Sequence, residues 1–318
     1  GRSFDVLSIA RSSLWRIKFC RGRRPVTASA PPESARPRGA SELSARVLSA
    51  LVLAGLALIS AWFGGVVLAL VWSVAAFAVM REWFALVGIK GRALTIYWLV
   101  GSASIVASVN AFTLFGFQTY DMLFPSLVVG VFLGLLAQIT ASPPSPIRRR
   151  VSAVWVALGP LYAALVVLAP VWLRSRESDG LVILIWLFLV VWISDIGAFF
   201  VGRTLGGPKL WPAISPKKTW SGVIGGLLFG TLVSGGFVLV DQILLGPIFV
   251  SGWTLIALSL ATSIVSELGD LFESAMKRHF GAKDSGHIIP GHGGIMDRLD
   301  SFISAGLFAV IMLDLFGF

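Results

Sequence analysis

Beyond residue 46 the chain alternates between long apolar runs and short polar interruptions. The runs fall at 47–63, 65–80, 94–115, 122–139, 153–173, 181–201, 221–240, 248–268 and 301–318. Most approach the roughly 20 residues that a helix needs to cross the hydrocarbon of a bilayer. Lipid offers no hydrogen-bond partners to the backbone, so continuous runs of this kind satisfy themselves as helices. The pattern predicts an all-α, polytopic integral membrane protein with about nine transmembrane helices. Between the first two runs only Gly64–Gly65 marks a turn.

Composition points the same way. Hydrophobic residues make up 56% of the chain and charged residues 13%. Soluble domains carry about 25% charged residues, so a water-soluble core is excluded as the destination of this much apolar sequence. The single cysteine, Cys20, excludes an intramolecular disulfide framework and a Cys-rich metal site. Residues 1–46 differ from the remainder, being basic and rich in Ser, Pro and Ala. Too little apolar surface is present there to fold alone, and a disordered cytoplasmic tail is expected. Its Arg- and Ser-rich, acid-poor start also has the make-up of an organelle transit peptide. Residues 47–318 then form the membrane-embedded domain.

The net charge of +10 raises the question of a nucleic-acid partner, and the placement of the charges argues against one. With the N-terminus inside, alternate segments hold all the Lys and Arg residues except Arg174 and Arg176. That asymmetry is the positive-inside signature of topology. It assigns the two most polar loops, 202–220 and 269–300, to the cytoplasmic face, where nucleotides are available.

The approach to the second loop carries Ser263, Glu267, Asp270, Ser274 and Lys277 at alternating spacings of 4 and 3. This places them on one stripe of a helix, with Val265, Leu268, Leu271, Phe272 and Met276 opposite. For Ser274 and Glu273 an ordinary solvated helix face explains the polarity equally well. Glu267 and Asp270 lie near the apolar boundary, where carboxylates are costly and face a cavity or a partner. After the helix, PGHGG (290–294) is a glycine-dense turn of the sort whose bare N–H groups cradle anions. Asp297 and Asp300, three apart, open the last run. Helix capping accounts for one of these acids but not both. Together with Asp270 they suit Mg²⁺, which binds through a few carboxylates, waters and substrate phosphates. The spacings of His279, His287 and His292 are unconvincing for zinc.

Loop 202–220 adds Arg203, Lys209, Lys217 and Lys218, and its glycines and prolines predict irregular structure. It contains no P-loop pattern. Asp195, inside an apolar run, is a further functional candidate, with a hydrogen-bonded structural role as the competing reading. The residues alone thus imply a membrane-edge site where acids hold a divalent cation, basic groups and glycine amides hold phosphates, and one substrate is a lipid.

The segment SAMKRHFGAKDSGHIIPGHGGIMDRLD (274–300) resembles the C-terminal signature of the phosphatidate cytidylyltransferase (CDP-diacylglycerol synthase) family, S-x-x-K-R-x4-K-D-x-G-x2-I-P-G-H-G-G-x2-D-R-x-D. Every specified position is present. GDLFES (269–274) and SPKKTW (215–220) also resemble family segments in order and separation. Two positions depart from the pattern: Ser221 stands where the family usually has Glu, and Phe199 where Tyr is common.

The resemblance implies that CTP and phosphatidate give CDP-diacylglycerol and pyrophosphate at the bacterial inner membrane, on its cytoplasmic side. It implies Mg²⁺ on Asp270 and Asp297 with Asp300 as a third ligand, and allows a second, monovalent cation. Lys277 and Arg278 would hold phosphates. Ser215, Lys217, Lys218 and Thr219 would bind nucleotide phosphate or phosphatidate. His292, Gly293 and Gly294 would shape the phosphate turn, supported by Lys283 and Asp284, and Ser274 and Arg298 would also bind substrate or phosphate. A homodimer is compatible with this reading. The alternatives are another CTP-using lipid enzyme, such as a lipid kinase or a cytidylyltransferase of a different phospholipid, and a transporter. Against the transporter, the polar residues gather at one membrane face and not at the midplane.

Overall fold

The structure is a computed structural model that describes residues 40–115, 123–140, 146–176, 179–240, 251–286 and 293–316. Apart from residues 40–46, the N-terminal segment lies outside these residues, as do Cys20, His287 and His292. Each predicted apolar run corresponds to a helix: α1 (Ala40–Phe63), α2 (Gly65–Val87), α3 (Gly91–Phe115), α4 (Phe124–Thr140), α5 (Pro146–Arg174), α6 (Gly180–Leu205), α7 (Trp220–Val240), α8 (Gly252–His279) and α9 (Met296–Phe316). Seven of them are long and apolar enough to span a bilayer, and α1 and α4 contribute shorter apolar segments. The protein is an integral membrane protein. Loop 202–220, expected to be irregular, instead contains an antiparallel hairpin, β1 (Lys209–Trp211) and β2 (Ser215–Thr219), with Lys209 opposite Thr219 and Trp211 opposite Ser215.

The core forms where α2, α5, α6 and α9 meet. Trp72 of α2 stacks on Phe302 of α9 at 4.9 Å and on Phe188 of α6 at 5.8 Å. Trp83 packs on Tyr162 of α5 at 4.7 Å and donates its indole N–H to the Trp155 carbonyl at 2.8 Å. Trp186 of α6 donates to Ser259 Oγ of α8 at 2.9 Å. Both indoles thereby avoid the cost of an unpaired N–H away from water, whereas the buried indole N–H of Trp72 has no partner among the described residues. Ser104 and Ser108 of α3 share Ser126 of α4, each at 3.3 Å, a small-polar contact suited to helices packing in lipid.

Contacts at the helix ends group the loops. At one end, Glu82 near the end of α2 meets Ile295 just before α9, and Arg278 of α8 meets the hairpin at Ile214. There too Trp155, near the start of α5, packs on Phe280. At the other end Arg174 Nε donates to the Ala61 carbonyl at 2.9 Å, which ties the α1–α2 turn to the end of α5. The grouping matches the alternation expected from the basic residues.

Candidate active site

The hairpin, α8 and the start of α9 converge at one end of the bundle. Arg278 donates through Nε to the Ile214 carbonyl at 3.2 Å and through Nη1 to the Ala282 carbonyl at 3.4 Å. It pins the hairpin tip to the end of α8 and does not line the cavity described below. Thr219 is buried, and its Oγ1 accepts from Gly222 N at 3.2 Å, the N-capping arrangement for α7. Ser221, one of the two departures from the family pattern, donates its hydroxyl to the Gly206 carbonyl and so fastens the exit of α6 to the start of α7.

Two lysines organise the acids. Lys218 Nζ lies 2.6 Å from Glu267 Oε2 and 2.8 Å from Asp270 Oδ2. Burial alone would pull the Lys218 pKa down, but the carboxylates of Asp270 and Glu267 outweigh it and push it up to about 12. Ser274 donates to the other oxygen of Asp270 at 3.2 Å. Lys277 Nζ lies 2.6 Å from Asp297 Oδ1 and 3.5 Å from Glu273 Oε1. Asp297 also accepts from Ser285 N at 3.0 Å and Gly294 N at 2.9 Å. The Gly294 amide, expected to face a phosphate, is therefore engaged by Asp297.

Lys218, Glu267, Asp270, Lys277 and Asp297 line a cavity of about 700 Å³. Of the residues singled out from sequence, Lys217, Lys218, Thr219, Asp270, Lys277, Asp297, Arg298 and Asp300 face it, joined by Asp195, Glu267, Arg203 and Lys209. Ala198, Phe199 and Val223 give it an apolar side. Ser215, Ser274, Arg278, Lys283, Asp284, Gly293 and Gly294 are not in its lining. Lys283 and Asp284 are exposed. His292 lies outside the described residues. Gly269, in the GDLFES segment, permits the closeness of α8 and α9: a Cβ there would meet Ser304 Oγ and lie 2.9 Å from the Asp300 carbonyl.

Two acids escaped the sequence reading. Glu273, for which a solvated face was an adequate explanation, is 0% exposed and faces Lys277. Glu82, 3% exposed near the end of α2, accepts from Ser285 Oγ, Ile295 N and Met296 N at 3.0, 3.0 and 2.9 Å. The available signal was an acid embedded in the apolar stretch WFALV and its upstream run, a setting in which a carboxyl needs a partner. The donors presented to the cavity by Asp195, Glu267, Asp270, Asp297 and Asp300 are all hard oxygens. Among the described residues, no three acids, cysteines or histidines converge into a ready-made metal cage.

Comparison with known proteins places this architecture. The model of the cytidylyltransferase family matches residues 44–316. A phosphatidate cytidylyltransferase of Staphylococcus saprophyticus is 36% identical over 241 residues, covering 76% of this chain and 87% of that protein. One from Brucella suis is 48% identical over 163 residues, 51% of this chain and 57% of the relative. One from Bacillus subtilis is 44% identical over 144 residues, 45% and 52% respectively. In the last two alignments the chain spans about half the length of the curated relatives it matches. A match running through all nine helices of the described residues makes this chain a member of the cytidylyltransferase family.

Proposed function

We propose that this protein transfers the CMP moiety of CTP to phosphatidate, giving CDP-diacylglycerol and pyrophosphate. The observation that carries the reading is the cavity between the C-terminal parts of α6 and α8 and the start of α9, where basic groups and carboxylates face each other beside an apolar wall. The names of the relatives supply the substrates. In the reaction a phosphatidate phosphate oxygen bonds to the α-phosphorus of CTP, the bond from that phosphorus to the β-phosphate bridging oxygen breaks, and pyrophosphate departs. An ionised phosphate is already a nucleophile, so positioning and charge neutralisation do most of the work. Lys217, Lys209 and Arg203 are exposed cations on the cavity wall, suited to phosphate oxygens. Lys218 and Lys277 supply further positive charge between the acids. Phe199, Ala198 and Val223 suit the glycerol and acyl portions of a lipid.

The donor chemistry fits Mg²⁺, which needs only one or two carboxylates when waters and phosphates complete its shell. Asp270 and Asp297 would hold it, with Asp300 beside them. Bound there, it would neutralise phosphate charge and favour in-line displacement. Within this reading the site faces the cytoplasm from the bacterial inner membrane. The support is the crowding of Lys and Arg at the site end of the bundle, with Arg174 and Arg176 at the other.

Detergent-purified protein, phosphatidate, Mg²⁺ and α-labelled CTP test the proposal. Label is expected in a lipid that co-migrates with CDP-diacylglycerol, and chelation of the metal is expected to abolish it. Transfer to a different phospholipid would replace the acceptor. Label that stays water-soluble with every acceptor, in folded protein, would overturn the reading.

A further inference from the structure

We infer that Glu82 is a positioning residue for the reaction: it fixes the start of α9 and thereby sets the Asp297 carboxylate in the cavity. The inference rests on the role of Asp297 proposed above. Glu82 does not line the cavity and so acts through other residues.

Two routes join the acids, each a single residue long. Ser285 donates its hydroxyl to Glu82 Oε2 at 3.0 Å and its backbone N–H to Asp297 Oδ2 at 3.0 Å. Met296, the first residue of α9, donates its N–H to Glu82 Oε2 at 2.9 Å and is followed by Asp297 in the chain. Glu82 Oε1 takes the N–H of Ile295 at 3.0 Å. The first N–H groups of a helix have no partner within it, and here a carboxyl group from another helix supplies one. It does so across more than two hundred residues of sequence.

The surrounding backbone is shaped to this carboxyl group. A Cβ on Gly286 would lie 2.7 Å from Glu82 Oε1, and one on Gly294 would lie 2.5 Å from Oε2. A side chain at either position would collide with the Glu82 carboxyl group, and one at Gly294 also with Ser285 Oγ. The two glycines therefore serve the approach of the catalytic segment to α2. Both Oε atoms accept from donors on that segment, and Glu82, 3% exposed, is outside the cavity lining. Asp297 in turn holds Lys277, so a displacement at Glu82 reaches both a carboxylate and a cation of the cavity.

The test compares Glu82→Gln, Ser285→Ala and Asp297→Asn as full-length proteins in detergent, with CTP and phosphatidate as substrates. Glu82→Gln keeps the size but turns an amide N–H₂ toward groups that are themselves donors. A shift of about 1 Å at a reacting group can lower a rate by about 100-fold. Glu82→Gln is therefore expected to lower kcat by about 10- to 100-fold per folded molecule. The loss should fall mainly on kcat and not on KM for CTP. Amide exchange at Ile295 and Met296 is expected to quicken while later α9 amides stay protected. Ser285→Ala removes one of the contacts and is expected to show a smaller loss of kcat with thermal stability retained. A wild-type kcat per folded molecule in Glu82→Gln overturns the inference. If that variant does not fold, a wild-type kcat in Ser285→Ala overturns it instead. Asp297→Asn separates the two levels. An active Asp297→Asn removes the proposed role of Asp297 and this inference with it. An inactive Asp297→Asn beside a fully active Glu82→Gln removes only the inference about Glu82.

Discussion

Lys218→Met removes the cation that stands between Glu267 and Asp270, at 2.6 and 2.8 Å. The two carboxylates hold the Lys218 pKa at about 12 against an ordinary 10.5, in spite of burial. At about 1.4 kcal/mol per pKa unit, the folded protein gains about 2 kcal/mol from keeping this lysine charged. The variant forfeits that and leaves Glu267, only 7% exposed, facing Asp270 without a counter-charge. Removing one partner of a buried ion pair costs up to about 5 kcal/mol, so the expected loss lies between about 2 and 5 kcal/mol. Equilibrium unfolding in mixed detergent micelles, followed by the near-ultraviolet dichroism of the tryptophans, measures it. Glu267→Gln in the Lys218→Met background removes the stranded charge and is expected to recover part of the loss. A Lys218→Met protein within about 0.5 kcal/mol of wild type, the usual range of an ordinary surface substitution, would refute the reasoning. So would a double variant no more stable than the single one.

The same lysine gives a pH signature. Its folded pKa is raised, so its contribution is complete below pH 10.5 and is lost as pH rises through about 12. The stability gap between wild type and Lys218→Met should therefore be flat from neutral pH to 10 and narrow only above 10.5. A gap that closes earlier contradicts the assignment. Thr219→Ala should cost about 1 kcal/mol of unfolding free energy through loss of the α7 cap, and Thr219→Ser should retain most of it. Equal stability of the alanine variant and wild type would show that the cap is dispensable. Gly269→Val should push α9 from α8, lowering stability by about 1–3 kcal/mol and reducing CMP transfer. Wild-type values of both would contradict the close approach at Asp300.

The helices were legible because lipid leaves the backbone few other options, and each apolar run became one. Their packing was not. Trp62 is 70% exposed and Trp72 is 5% exposed, yet both stand in equally apolar surroundings. In lipid the outer face of a helix is as apolar as its buried face, so hydrophobic periodicity carries little information about which side packs. The stripe Glu267, Asp270, Ser274 and Lys277 could be read because polar groups on a mostly apolar helix do mark a face. Their partners could not, since Lys218 meets Glu267 from 49 positions away in sequence. Prolines and glycines concealed the hairpin, whose strands of 3 and 5 residues are too short for an alternating pattern. Glu82 stands just past the apolar run 65–80, behind Arg81, whereas α2 continues to Val87.

The most direct test of the account is the rate of CMP transfer from CTP to phosphatidate by Asp297→Asn, measured per folded molecule. Asp297 touches Lys277, Ser285 and Gly294 and faces the cavity. Asparagine preserves its size while removing the charge. The account predicts turnover lowered by at least about 100-fold, the scale of losing one preorganised electrostatic contact in an active site, in a protein that inserts and unfolds like wild type. A variant that transfers CMP at close to the wild-type rate would place the chemistry elsewhere.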